Sequence, residues 1–124
     1  MLRLTFYLLI VDKLFYNFNT ENLEDMSGLF QYCNSLNEIN LRNFETNKVI
    51  DMSRIFLNCQ KIKNLDLSRL VTNKVTNMEE IFRGCTNLED LIFNFNTENV
   101  KNMSHMFENC NSLSQLDISY FNTA

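Results

Sequence analysis

The amino-acid sequence predicts an α/β solenoid in which short parallel strands line one face and short helices line the other. Three observations predict this fold class. A motif recurs every 25 or 26 residues, apolar residues have helical spacing in the first half of each unit, and they alternate with polar residues in the second half. One unit of this size cannot bury its own apolar side, whereas stacked units share a continuous core.

The repeat is anchored on four methionines, each followed by a Phe four residues later and by a Cys seven residues later. The columns are Met26, Met52, Met78 and Met103; Phe30, Phe56, Phe82 and Phe107; and Cys33, Cys59, Cys85 and Cys110. Residues 14–124 therefore form an array of about four repeats of 25 or 26 residues. The third repeat is one residue short, and we expect a local adjustment between Phe93 and Thr97.

The two ends of the chain lead to separate expectations. Residues 1–13 fit the repeat frame weakly, which predicts a degenerate N-terminal capping repeat. The alternative stays open that Arg3 and the apolar run Leu4–Val11 form a signal-like segment, although no small-residue cleavage site follows. The last repeat has no obvious polar cap, which leaves end-to-end association through the uncapped C-terminal repeat open.

The first half of each repeat has the spacing of an amphipathic helix. Val75, Met78, Phe82 and Cys85 are separated by three, four and three residues, which places them on one helical face. Asp or Asn directly precedes each anchoring Met, and both residues are favourable N-caps. The pattern thus predicts a short helix that begins near each Met.

The second half alternates like a strand with one buried face, as in Leu65-Asp66-Leu67 and Leu116-Asp117-Ile118. The outward positions of these strands are the candidate ligand-binding residues, because solenoids bind extended partners on such faces. They are Glu38, Asn40, Arg42, Asn64, Asp66, Ser68, Asp90, Ile92, Asn94, Gln115, Asp117 and Ser119.

Composition argues against several other classes of function. The net charge is −4 and the basic residues are scattered, which disfavours nucleic acid as a partner. The sequence has no stretch of 18 or more apolar residues, so no transmembrane segment is predicted. His105 is the only histidine and occupies a variable, solvent-facing slot, so no nucleophile–base arrangement and no cofactor are expected.

The four cysteines are expected to be buried, reduced and free of metal. Their separation by a whole repeat does not match zinc-ligand spacing. Stacked helices would also lie about 8–10 Å apart, too far for a ladder of disulfides. Asp66 and Asp90 could together hold calcium, but no dense oxygen-rich loop supports that assignment.

The pattern Cys-x-x-Leu-x-x-Leu-x-Leu-Ser-x-Phe-x-Thr resembles the leucine-rich repeat. Phe121-Asn-Thr123, Val75-Thr-Asn-Met78 and Leu116-Asp-Ile-Ser119 are more closely similar to the BspA-type surface-protein repeats, also described as DUF285. The resemblance implies a leucine-rich-repeat-like solenoid and a non-enzymatic adhesin or antigen at the cell surface, with a protein or cell-surface ligand. A cytoplasmic scaffold or recognition fragment of the same fold is the alternative.

The sequence departs from the general leucine-rich pattern at the position of the buried Asn ladder. Phe44, Leu70 and Phe121 occupy that slot, and a column of threonines stands beside it, namely Thr46, Thr72, Thr97 and Thr123. We expect a spine of Phe and a column of Thr to replace the Asn ladder.

Overall fold

The computed structural model describes residues 19–122, so both the capping repeat and the signal-like segment expected within residues 1–13 lie outside the described residues. Four coils, repeats one to four, begin at Met26, Met52, Met78 and Met103 and lie side by side. Parallel bridges join the residues just before these methionines: Asp25 with Asp51, Asp51 with Asn77, and Asn77 with Asn102. The repeats therefore stack in the register that the sequence pattern predicted.

Two strands form, β1 at Asn64–Asp66 and β2 at Asp90–Ile92. They pair in parallel, with Asn64 opposite Asp90 and Asp66 opposite Ile92. Across residues 19–122 no third strand forms, and the strand predicted at residues 116–118 is absent. The strand face is consequently narrower than the sequence suggested.

The predicted helices are wrong. Within the described part of the chain no helix forms, and the segment that follows each Met is a run of turns. The reason is the backbone: the second and sixth residues after each Met have a positive φ, between 55° and 74°. These residues are Gly28, Arg54, Glu80 and His105, and Tyr32, Asn58, Gly84 and Asn109. Left-handed residues interrupt a right-handed helix, so an α/β solenoid with short helices is not the fold of this chain.

The amide hydrogen bonds explain what replaces the helix. In repeats one to three the amides of the Met and of the second, fourth and sixth residues after it donate to carbonyl oxygens of the next repeat. Between repeats two and three these bonds run from Met52 N to Asn77 O (3.0 Å), from Arg54 N to Glu79 O (2.9 Å), from Phe56 N to Ile81 O (2.9 Å) and from Asn58 N to Arg83 O (2.7 Å). A helix would satisfy such amides internally, whereas here they join one coil to the next.

The Asp and Asn residues before each Met keep a capping role in a different setting. Asp51 Oδ1 accepts from the amide of Ser53 at 2.8 Å, and Asn77 Oδ1 accepts from the amide of Glu79 at 3.1 Å. Each bond closes a turn over two residues instead of starting a helix. The helix prediction failed because a 3-4-3 apolar spacing and an Asx acceptor fit this coil of turns equally well.

Columns of identical side chains form the core. The rings of Phe30, Phe56, Phe82 and Phe107 stack with successive centroid distances of 5.6, 6.1 and 5.5 Å. Phe56 and Phe82 are fully buried, whereas Phe107 in repeat four is half-buried. The core side chains are thus fully buried in the middle of the stack and only partly buried in repeat four, on the side that faces away from repeat three.

The threonine column is confirmed for the described residues, since Thr46, Thr72 and Thr97 are buried. Thr46 Oγ1 donates to Val71 O at 2.9 Å and accepts from Val71 N at 2.8 Å, so one hydroxyl joins two repeats. Thr72 forms the same pair of bonds with the backbone of Asn96. A column of buried threonine hydroxyls therefore takes the place of the buried Asn ladder. The fourth threonine of the column, Thr123, lies outside the described residues.

The short third repeat is accommodated where the sequence predicted. Thr46 and its partner Val71 are 25 residues apart, whereas Thr72 and Asn96 are 24 apart. The missing residue thus falls between β2 and Asn96. Thr97 regains the usual spacing, because its Oγ1 accepts from the amide of Asn122, 25 residues later.

Cys59 and Cys85 are fully buried, as predicted, whereas Cys33 and Cys110 are only half-buried; Cys59, Cys85 and Cys110 form no disulfide. Cys85 Sγ donates to Phe56 O at 3.1 Å, and Cys110 Sγ donates to Phe82 O at 3.0 Å. The argument against disulfides from helix spacing is wrong. Coils joined by backbone hydrogen bonds lie about 4.8 Å apart, which is within the Cα separation that a disulfide can span.

Candidate functional site

The outward face is defined by the twelve candidate residues of the sequence analysis, and all twelve are exposed. Strands β1 and β2 place four of the twelve, because alternation in β1 turns Leu65 into the core while Asn64 and Asp66 face outward, and Asp90 and Ile92 do the same in β2. The register of β1 and β2 then sets Asn64 beside Asp90, and Asp66 beside Ile92. Polar and apolar groups of adjacent repeats thereby form one surface.

A turn after the strand segment orients the carboxylates of this face. Asp66 Oδ1 accepts from the amide of Ser68 at 3.0 Å and from its hydroxyl at 2.6 Å. These bonds from Ser68 lower the pKa of Asp66 below its usual value. Asp117 accepts from the amide of Ser119 at 2.9 Å, and hydrogen bonds from Ser119 lower its pKa in the same way. Both carboxylates are therefore ionised and held in place at neutral pH.

A shallow groove of about 510 Å³ crosses the outward face over repeats one to three. It brings together five of the twelve predicted residues, which are Glu38, Asn64, Asp66, Asp90 and Ile92. Ile92 is 58% exposed and is the large apolar group that this set contributes. The three predicted residues of repeat four, Gln115, Asp117 and Ser119, do not line the groove.

Sequence reasoning missed two cationic residues of the groove, Lys61 and Lys63. Lys63 Nζ lies 4.0 Å from Glu89 Oε1, and both side chains are mostly exposed. The groove therefore carries charges of both signs. The alternation that turned Asn64 and Asp66 outward would turn both lysines inward, but they are exposed because Ile62 between them is buried and the period of two breaks at Asn64.

A second groove of about 380 Å³ lies beside the outward face, where Asn94 meets Tyr120. Tyr120 is 47% exposed, and its hydroxyl donates to Phe93 O at 3.3 Å. Partial burial raises the pKa of Tyr120, and the nearby carboxylate of Asp117 raises it further. Tyr120 is not among the twelve candidate residues, because it stands in a slot that other repeats fill with polar or charged residues.

A chain of charged groups runs across the turn segments of repeats two to four. Arg54 Nε lies 2.7 Å from Glu80 Oε2, Glu80 also contacts Arg83, and Arg83 Nη2 lies 3.2 Å from Glu108 Oε1. Hydrogen bonds from Arg54 and then from Arg83 lower the pKa of Glu80. His105 is exposed, as predicted, with Nδ1 2.6 Å from Glu108 Oε2. The Arg54–Glu80 and Arg83–Glu108 pairs join neighbouring repeats, and none of these charged side chains lines either groove described above.

Among the described residues there is neither a metal-binding cluster nor a membrane-spanning helix. Within residues 19–122 no group of three His, Cys, Asp or Glu side chains could hold a metal ion. In that range no helix is long and apolar enough to cross a membrane.

Comparison with known proteins identifies one family. The family described as "Mycoplasma protein of unknown function, DUF285" matches residues 10–73 and again residues 51–124. No curated protein matches the chain, and no solved structure matches it. The two matches together include all four repeats, and the chain therefore belongs to the DUF285 family.

Proposed function

We propose that this chain is a non-enzymatic protein-interaction module that binds a protein or cell-surface ligand through its outward face. The observation that carries the proposal is the groove of about 510 Å³ over repeats one to three, which coincides with five residues chosen from the repeat pattern alone. The exposed Ile92 offers an apolar contact, and the charged groups around it correspond to the polar rim of a protein interface.

The composition of the groove favours a polar, partly charged partner surface. Asp66 and Asp90 supply carboxylates, Lys61 and Lys63 supply ammonium groups, and Ile92 supplies an exposed apolar contact between them. Exposed charges of both signs select a complementary partner and steer its approach more than they add affinity. A partner with both acidic and basic side chains fits this arrangement best.

The surface role rests on the resemblance of the repeats to BspA-type surface proteins. We infer that the chain is a surface-associated adhesin or antigen, or part of one, located at the cell surface or outside the cell. The alternative, a cytoplasmic scaffold or recognition fragment, is favoured by Cys59, Cys85 and Cys110, which form no disulfide, because thiols persist more readily in a reducing compartment.

Charge reversal tests the binding proposal. The variant Asp66→Lys/Asp90→Lys changes two exposed carboxylates of the groove, and Glu24→Lys/Glu45→Lys changes two exposed carboxylates elsewhere by the same net charge. We expect the labelled chain to bind cultured animal cells, and the groove variant alone to lose at least about tenfold in affinity. Equal binding by both variants, or no saturable binding by the unchanged chain, would contradict the proposal.

Location is tested independently of binding. Membrane-impermeant labelling of intact source cells should modify the chain if it is exposed at the surface, with a cytoplasmic enzyme as the unlabelled control. Labelling only after lysis would favour the cytoplasmic alternative and leave the result of the charge reversal unaffected.

A further inference from the structure

We propose that the second groove, where Asn94 meets Tyr120, binds an uncharged sugar residue of a glycan. The side chains that carry the proposal are those of Asn73, Asn94, Glu98 and Tyr120, and all four are exposed. The proposal goes beyond partner binding at the groove over repeats one to three, because it concerns a different surface and a different chemical class of ligand.

The second groove lies between inner parts of the stack. Its lining includes the shortened connection of repeat three, residues 94–98, together with Asn73 of repeat two and Tyr120 of repeat four. Its volume of about 380 Å³ falls within the range of small-molecule sites. The slot of Tyr120 is exposed in inner repeats as well, where Asn43 and Arg69 occupy it, so the exposure of this ring is a property of the slot.

The ring of Tyr120 is a fixed apolar surface beside the groove. Its hydroxyl donates to Phe93 O at 3.3 Å, so the ring leans toward repeat three. Its centroid lies 6.2 Å from that of Phe93 and 5.4 Å from that of Phe121, while the residue stays 47% exposed. The face of an aromatic ring carries partial negative charge, which attracts the weakly positive C–H groups on the apolar side of a sugar ring.

The polar side chains of the groove have hydrogen-bonding capacity left. Among residues 19–122 the side-chain amide of Asn94 and the carboxylate of Glu98 have no hydrogen-bond partner, and Asn73 Nδ2 donates to no acceptor there. An amide both donates and accepts, and a carboxylate accepts, whereas each sugar hydroxyl can do both. Amides and a carboxylate beside an aromatic ring therefore match a ligand with several hydroxyl groups and one apolar side.

The charge of the groove selects an uncharged ligand. Glu98 is acidic, and none of the described residues that line the groove is basic. Asp117 is also close enough for its carboxylate to raise the pKa of Tyr120. A phosphate or an acidic sugar would be repelled by these carboxylates, whereas a neutral sugar would not.

An NMR titration of the full, isotope-labelled chain tests the proposal with glucose, galactose, mannose and N-acetylglucosamine, each up to about 50 mM. We expect at least one of them to shift the side-chain amide signals of Asn94 and Asn73 saturably, with a dissociation constant of about 1–10 mM. N-acetylneuraminic acid, which carries a carboxylate, should bind more weakly than that sugar. No saturable shift with any of the four sugars, or tighter binding of the acidic sugar, would overturn the proposal.

Variants test the two kinds of contact. Tyr120→Ala removes the ring and should raise the dissociation constant at least about tenfold, whereas Tyr120→Phe keeps the ring and should bind like the unchanged chain. Arg69→Ala changes the same slot in repeat two and is the matched control. Asn94→Asp keeps the shape of the side chain but replaces its donor by a carboxylate, and it should also lose at least about tenfold.

The outcomes separate this site from the rest of the molecule. If circular dichroism shows that Tyr120→Ala has unfolded, Asn94→Asp carries the test alone. Unchanged affinity in Asn94→Asp, or a loss in Arg69→Ala or Tyr120→Phe as large as that in Asn94→Asp, would contradict the proposal. Asp66→Lys/Asp90→Lys leaves the second groove intact and should keep its affinity for the sugar, so either binding site can fail without the other.

Discussion

The buried hydroxyl of Thr72 offers a sharp test of how the repeats are held together. Its Oγ1 donates to Asn96 O at 3.1 Å and accepts from Asn96 N at 2.8 Å, and Thr72 is only 2% exposed. Thr72→Val keeps the shape of the side chain but removes both bonds. The amide and the carbonyl of Asn96 then have no partner between repeats two and three.

The expected loss follows from these two groups. A net hydrogen bond contributes about 0.5–1.5 kcal/mol, and a buried polar group left without a partner costs about 1–3 kcal/mol. Because Asn96 is an exposed residue and both of its bonds to Thr72 are only partly buried, we expect a decrease of about 2–3 kcal/mol in the free energy of unfolding. With a urea m-value of about 1–3 kcal/mol/M, the midpoint should fall by roughly 0.7–3 M.

Two matched variants isolate the hydroxyl. Thr76→Val makes the same chemical change where Oγ1 is 3.5 Å from Ile50 O and the side chain is half-buried, so its loss should stay below about 0.5 kcal/mol. Thr72→Ser keeps the hydroxyl and removes one methyl group, at a cost of about 0.8 kcal/mol. Equal midpoints for the two valine variants, in urea titrations followed by circular dichroism, would refute the bridging role of Thr72.

Three further predictions concern the core, the ion pairs and the thiols. Phe82→Ala should reduce the free energy of unfolding by about 3–5 kcal/mol, whereas Phe107→Ala should reduce it less because the ring of Phe107 is half-buried. Thermal denaturation measures both losses, and equal losses would contradict the incomplete burial of Phe107. Arg54 and Arg83 lower the pKa of Glu80, so its stabilising contribution is present above the unfolded pKa of about 4.3 and is lost as the pH falls below that value. In Glu80→Gln the free energy of unfolding should therefore decrease less steeply between pH 5 and 3. An acid titration with the same slope as that of the unchanged chain would disprove this. Burial raises the pKa of Cys85 to about 12 and that of the half-exposed Cys110 to about 11, so iodoacetamide should modify Cys110 before Cys85 in a mass-spectrometric time course, and the reverse order would contradict this.

The register and the core of the stack could be predicted from the sequence because they depend on identity between repeats. Met52, Met78, Phe56 and Phe82 are buried as the columns predicted. The conformation between them could not be predicted from apolar spacing, since a helix and a coil of turns can turn the same residues inward. One feature did indicate turns: Gly or Asn occupies three of the four slots six residues after Met, and these residues tolerate a positive φ.

The sequence correctly predicted which strand residues point outward, but it did not predict all of the residues that line the grooves. Alternation correctly turned Asp66 and Asp90 outward, because a side-chain period of two is a local property of extended backbone. Lys61 and Tyr120 were missed because the grooves arise from contacts between neighbouring coils and their connections, which no single repeat displays.

The one-residue shortening between β2 and Asn96 has a consequence for how this chain can change in length. The hydrogen bonds between coils join adjacent units, at separations of 23 to 29 residues, so an in-frame duplication of one whole unit would add a coil that makes the same kind of contacts with its two neighbours. A single inserted or deleted codon is tolerated only in the connection after the strand, where repeat three already absorbs one. The same change directly after a Met would displace the amides of the second, fourth and sixth residues after it from their acceptors. We therefore expect length variation among related chains to occur as whole coils or within this one connection.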